Sequence, residues 1–114
     1  MELEAFEFVI LRSTPDRATL DEATADRLQA EHLAFLTEQR DAGRAVATGP
    51  FLDQADQRMR GLVIYRTGSI DEARRIAGSD PLVRAGQLEA DVMTWLCPPG
   101  TMKQPGRLIR LEDD

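Results

Sequence analysis

The chain contains one histidine, His32, and histidine is the side chain that most readily carries a proton near neutral pH. Residues 19–42 have the apolar spacing of an amphipathic helix when they are projected at about 100° per residue. The apolar residues that share one side of this helix are Leu28, Phe35, Leu36 and Ala42. His32 projects from the middle of them, so it is either a hydrogen-bonded core imidazole or a ring that faces a cavity.

Two other short motifs have ordinary structural explanations. Asp80 precedes Pro81, and this pair is typical of the N-cap and first position of a helix. Gly49-Pro50 is typical of a turn. Taken singly, none of these residues indicates a function.

Other chemistries have no support in the sequence. Cys97 is the only cysteine, so neither an internal disulfide nor a Cys/His zinc site is expected. No serine or cysteine lies in a recognisable hydrolase motif, and no glycine-rich loop could bind a nucleotide phosphate. We therefore expect no covalent nucleophile, no cofactor and no metal.

Composition limits the class of protein and its partners. A chain of 114 residues with 42% hydrophobic residues is expected to form a single globular domain. A net charge of −6 and the absence of any Lys/Arg run argue against nucleic acid and against an anionic membrane surface. The acidic N-terminal residues are unlike a signal peptide, and no apolar stretch approaches a membrane span, so we expect a cytoplasmic protein.

The order of the predicted elements is βαββαβ, the pattern of a ferredoxin-like α+β domain. The predicted strands are residues 5–12, 45–48, 60–67 and 88–96. The first helix is predicted to begin at a capping box of Thr19 and Glu22, and the second at one of Ser69 and Glu72. Gly78 ends the second helix, and Asp80-Pro81 opens a further short turn. This pattern predicts a four-stranded antiparallel sheet with two helices on one face.

The strands have large apolar residues on both faces, which two helices cannot cover. A second copy of the same sheet is the simplest cover, so we expect a homodimer. Val9, Leu62 and Trp95 are candidates for the contact, although the sequence does not say which parity faces the partner. Residues 97–114 form a Pro/Gly-rich extension beyond the domain of residues 1–96. Its apolar residues Leu108, Ile109 and Leu111 lie in an edge strand or in a disordered tail.

Considered together, the motifs of residues 5–96 resemble the YciI-like family. The shared features are a histidine on the first helix, Gly-Pro after the second strand, a helix that opens on Ser69-Ile70-Asp71-Glu72-Ala73, and the stretch Asp80-Pro81-Leu82 to Ala85-Gly86. The chain departs from the family at Leu82, where an aromatic residue is usual.

The resemblance implies a dimeric α+β barrel whose pocket contains a pair formed by His32 and Asp80, with Gly49, Pro50 and Leu82 contacting the substrate. A carboxylate bonded to one ring nitrogen fixes the tautomer and leaves the other nitrogen free to exchange a proton. The implied activity is cofactor-free proton transfer on a small organic substrate, as in a lyase, an isomerase or a dehalogenating elimination. Two alternatives stay open, a pocket that only binds a small acidic or aromatic metabolite and a purely structural link between the helical segments.

Overall fold

The computed structural model describes residues 1–110, which form a five-stranded antiparallel sheet and three helices. The elements in chain order are β1 Glu2–Ser13, α1 Glu22–Asp41, β2 Ala45–Pro50, β3 Met59–Tyr65, α2 Ile70–Gly78, α3 Pro81–Arg84, β4 Leu88–Cys97 and β5 Arg107–Arg110. The first seven elements confirm the predicted ferredoxin-like βαββαβ order, in which α3 is the short turn that Asp80-Pro81 opens. None of the helices in this part of the chain is long and apolar enough to cross a membrane.

The sheet has the order β2-β3-β1-β4, with all neighbouring strands antiparallel. β1 is the central strand and pairs with β4 along most of its length. On its other edge it pairs with β3 through Glu7–Arg12 and with β5 through Glu2–Ala5. Of the two alternatives for the C-terminal extension, the edge strand is the one that residues 107–110 form, and it lies in the chain's own sheet. Leu111 lies outside the described residues.

The start of α1 differs from the expected capping box. Asp21, rather than Thr19, is the N-cap, and its carboxylate accepts a hydrogen bond of 2.7 Å from the backbone N–H of Thr24. This bond lowers the pKa of Asp21. Glu22 becomes the first helical residue, where a negative charge is favourable next to the unpaired N–H groups. Ser69 is confirmed as the N-cap of α2, because it accepts from the backbone N–H of Glu72. The reciprocal bond of a capping box does not form, since the N–H of Ser69 donates to Thr67 and the carboxylate of Glu72 accepts from Arg75.

The two faces of the sheet bury separate apolar clusters. The cluster on the helix face contains Val9, Leu11, Leu36, Ala45, Val63, Tyr65, Ile76, Ala77 and Leu88. The cluster on the opposite face, called the open face here, centres on Phe6, Ile64 and Cys97, with Phe8, Leu62, Trp95 and Met102 packed against it. Of the three residues considered for a second interface, Leu62 and Trp95 lie on the open face. Val9 does not, because the odd-numbered positions of β1 point toward the helices.

The extension is tied to the domain by a buried acidic residue. Glu4 is 4% exposed, and its two carboxylate oxygens accept hydrogen bonds from the backbone N–H groups of Gly100 (2.7 Å) and Gly106 (2.8 Å). Gly106 lies so close to β1 that an added Cβ would stand 2.5 Å from the carbonyl oxygen of Ala5. The Pro/Gly-rich segment therefore packs against the start of β1, and part of the open face is covered by the chain itself.

Candidate active site

His32 and Asp80 meet between α1 and α3. His32 is 8% exposed and Asp80 is 2% exposed. The Nδ1 atom of His32 lies 2.8 Å from Oδ2 and 2.9 Å from Oδ1 of Asp80. An ionised carboxylate can only accept, so Nδ1 carries the hydrogen and the ring is held in one tautomer. In the neutral form of this ring Nε2 is the nitrogen without a hydrogen, and it lies on the side of the ring that points away from the carboxylate.

Asp80 has a second role that the sequence had indicated separately. Its Oδ1 also accepts a hydrogen bond of 2.9 Å from the backbone N–H of Leu82, which caps α3. This hydrogen bond to the backbone of α3 fixes the orientation of the Asp80 carboxylate toward the imidazole. The structural reading of Asp80 as a helix cap and its pairing with His32 are thus both correct.

His32 lines a cavity of about 840 Å³. The wall combines residues of α1, the loop before it, the paired ends of β2 and β3, and the start of β4. Its apolar part is formed by Leu11, Leu20, Leu33, Leu36, Leu82 and Leu88. Gly49, Pro50 and Leu82, the three residues expected beside a substrate, all line it, whereas Asp80 lies behind His32 and does not.

Gly61 shapes this wall and was missed by the sequence analysis. It pairs with Pro50 across β2 and β3, and a Cβ built on it would stand 2.7 Å from the carbonyl oxygen of Gly49. Only glycine allows the two strands to approach so closely at the cavity. The signal was present in the sequence as a glycine inside a strand pattern, at the start of the apolar run of β3.

Comparison with known proteins identifies the family. The sequence model of the YCII-related domain matches residues 7–96. The chain belongs to this family. The match includes every candidate site residue of this YCII-related domain and stops before the extension, and no curated protein matches the chain.

Among the solved structures with a similar fold is the 5-chloro-2-hydroxyhydroquinone dehydrochlorinase of Burkholderia phenoliruptrix AC1100, in complex with 2,5-dihydroxybenzoquinone. The two chains are 23% identical with a TM-score of 0.51, and the alignment covers 82% of this chain and 95% of the other. The similarity supports the ferredoxin-like architecture of the YCII-related domain.

The cavity of this YCII-related domain also contains charged residues that sequence reasoning did not single out. Three arginines line it, Arg17, Arg40 and Arg60, and no Asp or Glu does. A signal for Arg40 existed, because residues four and eight positions after His32 lie on the same face of a helix. Arg17 and Arg60 lie in a loop and at a strand end, where spacing along the chain gives no such indication.

A buried tyrosine completes the surroundings of the pair. Tyr65 is 1% exposed on the helix face of β3. Burial raises the pKa of Tyr65 well above its ordinary range, and the negative charge of Asp80 raises it further. The phenol therefore stays neutral near the carboxylate. Within residues 1–110, no three His, Cys, Asp or Glu side chains are grouped so that they could hold a metal ion.

Proposed function

We propose that this YCII-related domain is an enzyme that transfers a proton to or from a small organic substrate without a cofactor. The observation that carries the proposal is the buried pair of His32 and Asp80, with Nδ1 fixed by the carboxylate at 2.8 Å and the ring lining a large, mostly apolar cavity. This arrangement provides a base of fixed tautomer in a site that could hold an organic molecule. In this proposal His32 is the catalytic residue and Asp80 positions it.

A dehalogenating elimination is the specific reaction that we favour within this class. Nε2 of His32 takes a proton from the substrate, the electron pair of that bond forms a new double bond, and chloride leaves. The imidazolium that results is stabilised by the negative charge of Asp80 and then releases its proton to water. The dehydrochlorinase with a similar fold supports this choice by analogy of fold alone.

The cavity wall is expected to position the substrate beside the base. Gly49 and Pro50 present backbone and a rigid ring rather than long side chains, and Leu82 offers an apolar surface next to the cap of α3. Leu82 gives packing without aromatic stacking, so an aliphatic or a single-ring substrate is held mainly by burial of its apolar surface.

The test is to measure chloride release from 5-chloro-2-hydroxyhydroquinone, and hydrogen–deuterium exchange of a panel of small ketones and keto acids in D₂O. We expect His32-dependent turnover or exchange, reduced about 10²- to 10⁴-fold in His32→Gln, which is the usual contribution of a general base. Glu31→Gln is the matched control, since it alters the neighbouring exposed residue of α1.

The alternative is a non-catalytic module that binds a small metabolite in the same cavity. The two functions differ in what the ring must do, because a binding site needs only a hydrogen bond from or to His32. Ligand-induced NMR shifts at His32 without any His32-dependent turnover or exchange would establish the binding module and refute the enzyme.

We further propose that the protein is a homodimer that buries the remaining open face. Phe8, Leu62 and Trp95 belong to the open-face cluster, and Met93 on β4 is 39% exposed. Covering such a patch with a second copy removes apolar surface from water. Sedimentation equilibrium at micromolar concentration should give a dimer, and Met93→Lys should shift it toward monomer. A monomeric wild-type protein would contradict this proposal.

A further inference from the structure

The charge of the cavity is opposite to the charge of the chain. The protein has 20 acidic and 14 basic side chains, yet the cavity is lined by Arg17, Arg40, Arg60 and His32 without any carboxylate. Among the described residues, none of these three arginines forms an ion pair with Asp or Glu. An unneutralised positive wall inside a concave site attracts anions, because the low-dielectric walls focus the field.

Arg40 is the best positioned of the three. Its Nη1 donates a hydrogen bond of 2.7 Å to Oγ1 of Thr48 on β2, and its Nη2 donates one of 3.3 Å to Oγ1 of Thr37 on α1. The two hydroxyls orient the guanidinium but leave its charge uncompensated. Arginine has five N–H donors in a planar fork, so three of them are free of partners within residues 1–110. A planar fork of this kind matches the two oxygens of a carboxylate, and its N–H groups can also donate to the single oxygen of a phenolate.

The position of Arg40 relative to His32 limits the size of the molecule between them. Eight residues of helix separate their Cα atoms by about 12 Å along the axis. Helical side chains point back toward the N-terminus, so the long arginine side chain shortens this gap on the cavity side. A substituted ring or a short acid is therefore long enough to contact both residues, and the leucine side chains on the wall can bury its apolar body.

We propose that Arg40, oriented by Thr37 and Thr48, binds the anionic group of the substrate, and that the substrate class is a small organic acid or an ionised phenol with an apolar body. The proposal rests on the proposed function, since it names the substrate class of the same cavity. Arg60 and Arg17 add positive charge at the same wall and strengthen the attraction for an anion.

Arg40 also lies in the last turn of α1, where a cation interacts favourably with the helix C-terminus. A residue that only stabilises the helix would change thermal stability when it is replaced and would leave ligand affinity unchanged. Binding of a charged ligand compared with an uncharged one of the same shape separates the two roles.

The experiment uses the full chain and two probes of nearly equal shape, benzoate and benzamide, followed by NMR titration of the cavity amides. Wild type should bind benzoate at least about tenfold more tightly than benzamide, because a charge-assisted hydrogen bond is about twice as strong as a neutral one. Arg40→Met should remove this preference, and Arg40→Lys should keep part of it. Arg27→Met is the matched control, an arginine of the same helix that does not line the cavity.

Three results would each overturn the inference. Wild type could bind the two probes with equal affinity, or benzoate could bind outside the cavity or not at all. The third result is the same benzoate preference in Arg40→Met as in Arg27→Met. The proposed enzyme fails separately, through the absence of His32-dependent turnover. If wild type prefers benzoate, the preference persists in His32→Gln, and wild type itself shows no turnover or exchange, the anion site is kept and the enzyme is refuted. Turnover that needs His32 but shows no benzoate preference would keep the enzyme and refute the anion site.

Discussion

Replacing Asp80 by Asn should reverse the tautomer of His32. In the native protein Oδ1 accepts from both Leu82 N–H and Nδ1 of His32, and Oδ2 lies 2.8 Å from the same Nδ1. If Asn keeps its oxygen at the cap, its amide nitrogen occupies the place of Oδ2 and can only donate. A hydrogen on Nδ1 would then face the amide N–H donor to donor at the closer of the two contacts, so we expect Nδ1 to accept from the amide and the ring hydrogen to move to Nε2. A protonated Nε2 in a neutral imidazole cannot take a proton from a substrate.

The size of the effects follows from the bonds that are lost. Asn is as good an N-cap as Asp, so Asp80→Asn keeps the cap and exchanges a charge-assisted bond for a neutral one, a loss of about 1 kcal/mol in unfolding free energy. Asp80→Ala removes the cap and leaves the buried Nδ1–H without a partner, a loss of about 2–4 kcal/mol. Activity should fall about 10²- to 10⁴-fold in Asp80→Asn although its stability is nearly retained.

The assay benefits from the single histidine. Long-range ¹H–¹⁵N NMR spectra of uniformly labelled protein show one imidazole, so the tautomer is assigned without ambiguity. Urea denaturation of the same samples gives the change in unfolding free energy. An Asp80→Asn variant that keeps the hydrogen on Nδ1, or an Asp80→Ala variant as stable as wild type, would refute the reasoning about this pair.

Three further results are expected. Unfolded Tyr65 loses its proton at about pH 10 while the folded protein retains it, so stability should fall by up to about 1.4 kcal/mol per pH unit above that pH. The unfolding free energy from urea denaturation should fall with this slope in wild type and with a smaller slope in Tyr65→Phe; equal slopes would mean that the phenol is not the cause. Gly106→Ala should lower the unfolding free energy by about 1–3 kcal/mol, because the added Cβ meets Phe6 and the β1 backbone. Gly78→Ala is the control, because nothing lies within 4 Å of its added Cβ, and it should not lower the unfolding free energy. Ser69→Ala should lower the unfolding free energy by about 1 kcal/mol through loss of the α2 cap, and an unchanged thermal midpoint would contradict this.

Local signals in the sequence were enough for the main elements. Strand patterns, the Ser69 cap and the Asp80-Pro81 start depend on a few neighbouring residues, and the structure has all of them. The beginning of α1 was wrong because Thr19 and Asp21 are both good N-caps, and only the geometry decides between two acceptors so close together. The pairing of His32 with Asp80 came from the family resemblance, since 48 residues separate them.

Features that depend on long-range packing could not be derived from the sequence. In the sequence, Glu4 is a polar residue at the start of a strand. No neighbouring residue in the sequence indicates that its carboxylate binds the backbone N–H groups of Gly100 and Gly106 near the other end of the chain. Helical spacing places Arg40 on the face of His32, but its hydrogen bond to Thr48 could not be derived, because Thr48 lies on another element. Buried polar groups are specified by partners that only the folded chain brings together.

The pairing of β5 with β1 gives the backbone nearly the form of a closed ring. Glu2 and Arg110 are opposite each other in the ladder, so the two ends of the described segment are about 5 Å apart, the spacing of paired strands. A short peptide could join the ends without disturbing the sheet, and the chain could then be opened in an exposed loop such as residues 53–57, far from β1 along the sequence. In such a circular permutant, β1 and β5 would be made as adjacent hairpin strands. Their pairing, which now closes a loop of more than one hundred residues, would become local and form early in folding.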